Sequence, residues 1–271
     1  MSDTDEIPEV EGLAVRTYFV RNRNALIARA DFTDLYVDYY LHLAQYQMRP
    51  EPAMDTMLKD AVAAVTLHSA SKPWNEIAAW TIHFEDPLLN LFVTGNNPAS
   101  TVTGNLFEQD VKCAGKNLFY SDLVQGSDQP RRSVVDFEGK DVFAAVEVFC
   151  RQSEQRPTRY FHLEDDDFVM ITAQPDCDLE WFESLDVEKM KRIDQEETLR
   201  LLETRHYRWE CGCNQERIME VLAATMRMDP DALFDGGEMI RVGCPRCGAK
   251  HKITRESLEA YVATHKKRET I

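Results

Sequence analysis

Four of the seven cysteines in this chain fall into two close pairs near its C-terminal end. The first pair is Cys211 and Cys213 in Cys-Gly-Cys, and the second is Cys244 and Cys247 in Cys-Pro-Arg-Cys. Each pair can present two sulfurs from one tight turn, and two such turns supply the four ligands of a tetrahedral structural Zn²⁺ site. Glycines beside the ligands let the backbone bend sharply there. The spacing therefore predicts one Zn²⁺ per chain, bound by four thiolates in the reduced protein.

The second pair also has a catalytic interpretation, as the C-x-x-C motif of a thiol-disulfide oxidoreductase that uses Cys244 and Cys247. In such enzymes the motif opens a helix, whose N-terminus lowers the thiol pKa. Here the motif is followed by Gly-Ala-Lys-His-Lys-Ile, which is typical of a turn and a short strand. The sequence favours a metal site and no enzyme, with the oxidoreductase kept as the weaker alternative. A zinc-stabilised module that binds proteins constitutively is the other alternative.

Other thiols and imidazoles lie outside this pattern. His206 and His251 are close enough in sequence to be alternative zinc ligands, although four cysteines already complete a tetrahedron. Cys113, Cys150 and Cys177 are isolated in the sequence, and each is expected to be a small buried hydrophobic residue. Cys177 opens the linker, so an exposed position with a redox role is its weaker alternative.

Composition excludes several classes of partner and location. The chain has 271 residues and a formal net charge of -16, so nucleic acid and anionic membranes are not expected partners. No apolar run is long enough to cross a bilayer. The acidic N-terminus lacks the plan of a signal peptide. Four cysteines in a metal pattern suit a reducing compartment, so a cytoplasmic location is expected.

The elements that position the cysteines follow from hydrophobic periodicity. Spacing of three and four residues predicts helices, and alternation predicts strands. The fold class expected is α+β, with an N-terminal α/β sandwich-like domain that holds a mixed or antiparallel sheet, a helical linker and a small C-terminal zinc-binding domain. The predicted elements of the N-terminal domain are a helix over 54–65, a hairpin over 80–93, a strand over 132–137, a helix over 141–150 and a hairpin over 160–172. The predicted boundaries are an acidic tail at 1–11, a core at 12–177, the linker at 178–207 and the zinc domain at 208–271.

The linker has its own composition, rich in charged residues and Leu and without Gly or Pro. It is expected to form one or two helices with an apolar face. One interpretation is a passive connector packed on the main domain. The other is a metastable segment whose apolar face can be released. The apolar contacts expected are Trp181, Phe182, Leu185, Met190, Ile193, Leu199 and Leu202.

The zinc domain contains clear helix signals. Asn214 and Thr254 are expected to cap helices, Pro230 to open a short one, and residues 239–242 to form a strand. A unit of this size cannot bury enough surface to be stable alone, whereas structural zinc contributes on the order of 10–16 kcal/mol in small sites. The metal should therefore decide whether this segment folds.

Two motifs together resemble the redox-regulated heat-shock protein 33 family. One is the cysteine array, from Arg208-Trp-Glu-Cys-Gly-Cys-Asn-Gln-Glu-Arg217 to Val242-Gly-Cys-Pro-Arg-Cys247. The other is Ser-Glu-Gln-Arg-Pro-Thr, within Phe149–Thr158, which is similar to that family's signature before a strand. They occur in the family's order, with a helical linker between them.

The resemblance implies an ATP-independent holdase chaperone, which binds unfolded or partly folded client proteins. It implies that the reduced, zinc-bound form is inactive. Oxidation is then expected to form the disulfides Cys211–Cys213 and Cys244–Cys247, release zinc and unfold the linker, often with homodimerisation. The seven apolar linker residues become candidates for client binding. No phosphate-binding loop suggests the use of ATP.

Overall fold

The fold is described from a computed structural model covering residues 12–265, so the predicted acidic tail at 1–11 lies outside the described residues. Within that range no helix is long and apolar enough to cross a membrane. The strands are β1 (Leu13–Val20), β2 (Ala25–Asp31), β3 (Glu76–Glu85), β4 (Leu88–Asn96), β5 (Thr101–Phe107), β6 (Asn117–Gln125), β7 (Arg131–Phe137), β8 (Thr158–His162), β9 (Asp167–Ala173), β10 (Leu199–Trp209), β11 (Met239–Gly243) and β12 (Lys250–Thr254). The helices are α1 (Thr33–Gln45), α2 (Pro52–Ala70), α3 (Val142–Gln152), α4 (Leu179–Glu183), α5 (Val187–Lys191), α6 (Ile193–Glu196), α7 (Gln215–Met228), α8 (Pro230–Phe234) and α9 (Arg255–Thr264).

Ten of the strands form one mixed sheet in the order β7-β6-β3-β4-β5-β10-β1-β2-β9-β8. Its neighbours are antiparallel except β10 and β5, which pair in parallel only at Arg208↔Thr101 and Trp209↔Val102. The sheet is therefore two antiparallel halves joined by a short contact. This mixed architecture, with helices and a C-terminal cysteine cluster, confirms the predicted α+β class.

The half of the sheet that contains β2 and β9 is buried on both faces. Ala28 and Met170 face the main core, where α2 packs across the strands. Their neighbours Ile27 and Ile171 face the other way, into a second core completed by Phe182 of α4. Successive residues of a strand point to opposite faces, so an apolar strand of this kind needs cover on both sides. Helices α4–α6 supply the second cover.

The helical prediction for residues 178–207 is wrong in its second half. The helices end at Glu196, and Leu199–Trp209 is strand β10, paired antiparallel with β1. Leu, Arg and Glu are good helix formers, yet tertiary pairing along β1 outweighs that local preference.

The C-terminal segment consists of the β11–β12 hairpin and helices α7, α8 and α9 around a small separate core. The predicted caps are present. The Asn214 side chain accepts a hydrogen bond from the Arg217 amide at 2.9 Å, and Thr254 accepts one from the Ser257 amide at 3.2 Å. The core residues are Ala223, Met226, Phe234, Ile253, Leu258 and Val262.

Candidate metal centre

The two cysteine pairs meet at one point although thirty residues separate them in the chain. All four sulfurs lie within 4.8 Å of one another. Cys211 Sγ is 3.6 Å from Cys244 Sγ, and Cys213 Sγ is 3.5 Å from Cys247 Sγ. All four are free thiols, two of them buried and two half-buried.

This cluster fits a tetrahedral zinc ion. Zinc–sulfur bonds of about 2.3 Å give a sulfur–sulfur edge of about 3.8 Å in a regular tetrahedron. The two distances of 3.6 and 3.5 Å are close to that edge and far above the roughly 2.05 Å of a disulfide. Cys211, Cys213, Cys244 and Cys247 would hold the ion, which would keep all four as thiolates and lend the segment its folding free energy.

Contacts within the cluster and burial shift the pKa values of its cysteines. A hydrogen bond from the Cys247 thiol lowers the pKa of Cys211. The same contact raises the pKa of Cys247, whereas burial raises that of Cys213. Several negative charges cannot lie so close together without a compensating positive charge. A divalent cation is the natural counter-charge.

The second cysteine pair sits in a turn between two strands, as its sequence predicts. Cys244 follows β11. Its amide donates a hydrogen bond to Ala249 O at 2.8 Å, and its carbonyl oxygen accepts one from the Gly248 amide at 2.9 Å. The next element is strand β12, so no helix N-terminus is aimed at Cys247. This geometry disfavours the oxidoreductase alternative.

The turn also contacts the large sheet domain, through residues that sequence analysis missed. His42 Nε2 is 2.8 Å from the Cys247 carbonyl oxygen, and Asn105 Nδ2 donates to Pro245 O at 3.3 Å. Tyr46 packs against the cysteine cluster. These partners lie far away in the chain, on α1, at its C-terminal end and on β5, so no local signal in the sequence could have identified them.

The remaining predicted residues have varied positions. His251 Nε2 lies 3.4 Å from Cys213 Sγ and so contacts the cluster from outside the four sulfurs. His206 lies in β10 opposite Ala14. Cys150 is buried as expected, but Cys177 is only half-buried. The expectation for Cys113 is wrong, because its thiol is exposed and donates to Glu85 Oε2 at 3.2 Å.

The seven apolar linker residues divide into docked and exposed groups. Four are fully buried against the sheet, and two others, Trp181 and Leu199, pack partly on the same core. Leu202 is 50% exposed and lies in β10. The buried four are Phe182, Leu185, Met190 and Ile193. Their part in client binding stays a prediction.

Fold and cysteine cluster together define a protein with the Hsp33 fold. A crystal structure of the 33 kDa chaperonin, a heat shock protein 33 homologue from Thermotoga maritima, matches with a TM-score of 0.71 and 13% identity. The match covers 94% of this chain and 99% of that one.

Sequence comparisons agree with this fold. The family model "Hsp33 protein" matches residues 164–254. The 33 kDa chaperonin of Proteus mirabilis is 22% identical over 81% of this chain and 87% of its own length. That of Nitrosococcus oceani is 24% identical over 48% of this chain and 52% of its own length. Together these findings support the Hsp33 family, and the resemblance seen in the sequence is confirmed.

Proposed function

We propose that this chain is a redox-regulated, ATP-independent holdase chaperone whose zinc-bound cysteines hold it inactive. The observation that carries the proposal is the convergence of four thiols into a zinc-sized cluster inside a small, separately packed segment. A Hsp33-family chaperone is the coarser statement that the comparisons support. Unfolded or partly folded proteins are the expected clients, and a homodimer is expected on activation.

The chemistry of the switch rests on the thiolates. Oxidants such as peroxide convert thiolates to sulfenic acids, which condense with neighbouring thiols to disulfides. By family resemblance the bonds formed are Cys211–Cys213 and Cys244–Cys247. Once its ligands are consumed, the metal leaves, and the segment loses the free energy that offsets its chain entropy.

The apolar surface to be released lies under helices α4–α6. These helices are short, and their burial against β2 and β9 rests on a few side chains such as Phe182 and Met190. Cys211 lies two residues beyond the end of β10, and residues 197–198 join the start of β10 to α6. Loss of the zinc-bound segment frees this end of the chain. Undocking of the helices would uncover apolar sheet residues, including Ile27 and Ile171, for clients.

An aggregation assay tests the proposed activity. Light scattering of a heat-labile client is compared with reduced, zinc-loaded protein and with protein treated with peroxide at raised temperature. Only the oxidised form should suppress scattering, without ATP, and reductant with zinc should reverse the change. Equal protection by both forms would instead identify the constitutive binding module.

The zinc ligands are tested separately by substitution. Cys213→Ser removes one thiolate, and we expect the zinc affinity to fall more than about 100-fold, beyond what the loss of an outer-shell partner costs. Competition with a chromophoric chelator measures the affinity, and circular dichroism follows helices α7–α9. Cys177→Ser, outside the cluster, is the matched control. Full zinc occupancy in Cys213→Ser would refute the four-thiolate site.

A further inference from the structure

A second group of metal-binding side chains lies in the sheet domain, remote from the four-cysteine cluster in sequence. His68, Cys150 and Glu154 place a ring nitrogen, a sulfur and a carboxylate oxygen within 4.8 Å of one another. His68 is 3% exposed and Cys150 is 0% exposed, so both are shielded from bulk water. The group plays no part in the proposed redox switch.

The three side chains come from well-fixed positions. His68 lies in the last turn of α2, and Cys150 lies near the end of α3, which packs on α2. Glu154 follows the end of α3, where the Cys150 carbonyl accepts the Arg156 amide at 3.1 Å. The His68 ring stands edge-on to Trp80, with ring centroids 5.0 Å apart. Ligands held this way need little reorganisation to bind an ion.

The distances fit a zinc ion placed among the three groups. His68 Nε2 is 3.2 Å from Glu154 Oε1. Zinc bonds of about 2.0–2.1 Å to nitrogen and oxygen give a tetrahedral edge of about 3.3 Å between those atoms. The sulfur edges should be about 3.6 Å, whereas the three ligand atoms lie within 4.8 Å of one another, so Cys150 Sγ would move inward by up to about 1.2 Å.

A second carboxylate contact holds Glu154 in place. Lys72 Nζ donates to Glu154 Oε2 at 2.8 Å, which leaves Oε1 directed at His68. Outer contacts of this kind orient metal-binding carboxylates in known sites. Without an ion, the same atoms form a plain buried ion-pair network, which is the structural alternative.

A cavity of about 200 Å³ adjoins the group and is lined by His68 and Glu154 together with Ser121, Ser133 and Trp80. It offers room for a water molecule as the fourth ligand. Three protein ligands with one open position are the pattern of zinc sites that exchange a ligand, in contrast with the closed four-cysteine cluster.

We propose that His68, Cys150 and Glu154 form a second Zn²⁺ site, open at one position and independent of the four-cysteine cluster. On binding, the Cys150 thiol releases its proton to solvent, and the neutral His68 ring carries its remaining proton on Nδ1 so that Nε2 faces the ion. A mixed nitrogen, sulfur and oxygen ligand set suits a borderline divalent ion such as Zn²⁺ or Co²⁺.

Cobalt titration of the full-length chain tests the site. The reduced protein, free of any affinity tag, is first loaded with one equivalent of Zn²⁺ to fill the four-cysteine cluster and is then titrated with Co²⁺. A second site should bind one further equivalent, with tetrahedral d–d bands and a single thiolate-to-cobalt charge-transfer band in the near ultraviolet. Absence of a further equivalent in the wild-type chain would overturn the proposal without any variant.

Substitution identifies the ligands. Cys150→Ser should abolish the charge-transfer band and lower cobalt affinity at least 10-fold, whereas Cys177→Ser and Cys113→Ser should leave both unchanged. His68→Asn should also lower the affinity, and circular dichroism checks that each variant is folded. A charge-transfer band that survives in folded Cys150→Ser would assign the cobalt to another site. The outcome is independent of the redox switch, which a chaperone assay measures separately.

Discussion

Individual residues decide how firmly the turn that carries Cys244 and Cys247 is held against the sheet domain. Gly248 has φ +73, and a Cβ atom there would lie 2.7 Å from Asn105 Oδ1 and 2.8 Å from Met48 Sδ. Asn105 would have to move, and its hydrogen bond to Pro245 O would be lost. The turn therefore depends on a glycine for its backbone conformation and for its contact.

Gly248→Ala tests this contact against a matched control. Gly236, in the same C-terminal segment between α8 and β11, also has positive φ, +72, but nothing lies within 4 Å of its would-be Cβ. Both Ala variants carry the left-handed strain of roughly 1–2 kcal/mol. Only Gly248→Ala should lose about a further 1 kcal/mol from the hydrogen bond. The measurement is zinc release against denaturant concentration, and release at the same concentration in both variants would contradict the docked turn.

The carboxyl group of Asp60 should make the stability of the folded state depend on pH. Burial raises the pKa of Asp60 from 3.8 to about 6, with Asp141 adding to the rise and His162 and Lys59 opposing it. The folded state therefore keeps a proton that the unfolded state loses between about pH 4 and 6. Stability from this group falls as the pH rises through that window.

Asp60→Asn should remove this fall in stability with rising pH, because the amide does not titrate. We expect the variant to be about 1–2 kcal/mol more stable than the wild type at pH 7 and nearly equal to it at pH 4. Asp38→Asn makes the same change of charge at an exposed position on α1 and serves as the control. Urea unfolding at both pH values measures the difference. A gain that is equal at pH 4 and pH 7 would mean that Asp60 is not the titrating group.

Secondary-structure elements show where local sequence is informative and where it is not. The amphipathic period of α3, the alternation in β3 and β4, and the caps Asn214 and Thr254 were predictable because they express local physics. The four-cysteine cluster was predictable for a similar reason, since each ligand pair is confined to one turn. Strand β10 was not, because its Leu-Arg-Leu-Leu-Glu sequence favours a helix and only β1 makes it a strand.

The linker behaves as two different elements. Helices α4–α6 are held by side-chain packing, whereas β10 is held by a backbone ladder along β1 from Leu199 to Tyr207. Short helices with few contacts open at a lower free energy than a strand inside a sheet. We therefore expect the helices to be released before β10.

A charge beneath the helices should release them without oxidation. Ile193 is 3% exposed, so Ile193→Asp buries an unpaired carboxylate, which costs several kcal/mol. The variant should suppress client aggregation in its reduced, zinc-loaded form. Leu202→Asp, at a position 50% exposed, is the control and should stay inactive. Inactivity of folded Ile193→Asp would mean that the sheet face under α4–α6 is not the client surface.

At the scale of the whole described chain, three apolar cores besides the small cysteine cluster correspond to three roles. The main core lies between the sheet and α2–α3, the second lies under α4–α6, and the third belongs to the C-terminal segment that carries the four cysteines. The third is the smallest of the three and, in the proposed function, depends on the metal, whereas the second depends on short helices. We therefore expect an order of opening in which oxidation affects the third core, then the second, and leaves the first intact.

Hydrogen exchange with parallel measurement of zinc release tests this order most directly. Reduced and peroxide-treated protein are compared by mass spectrometry of peptides, with zinc and free thiols counted in the same samples. Loss of one Zn²⁺ and four thiols should accompany loss of protection in residues 211–265 and 179–196, while β2 and β9 keep theirs. Zinc release that leaves residues 179–196 fully protected would contradict the account, because the metal would then have no control over the client surface.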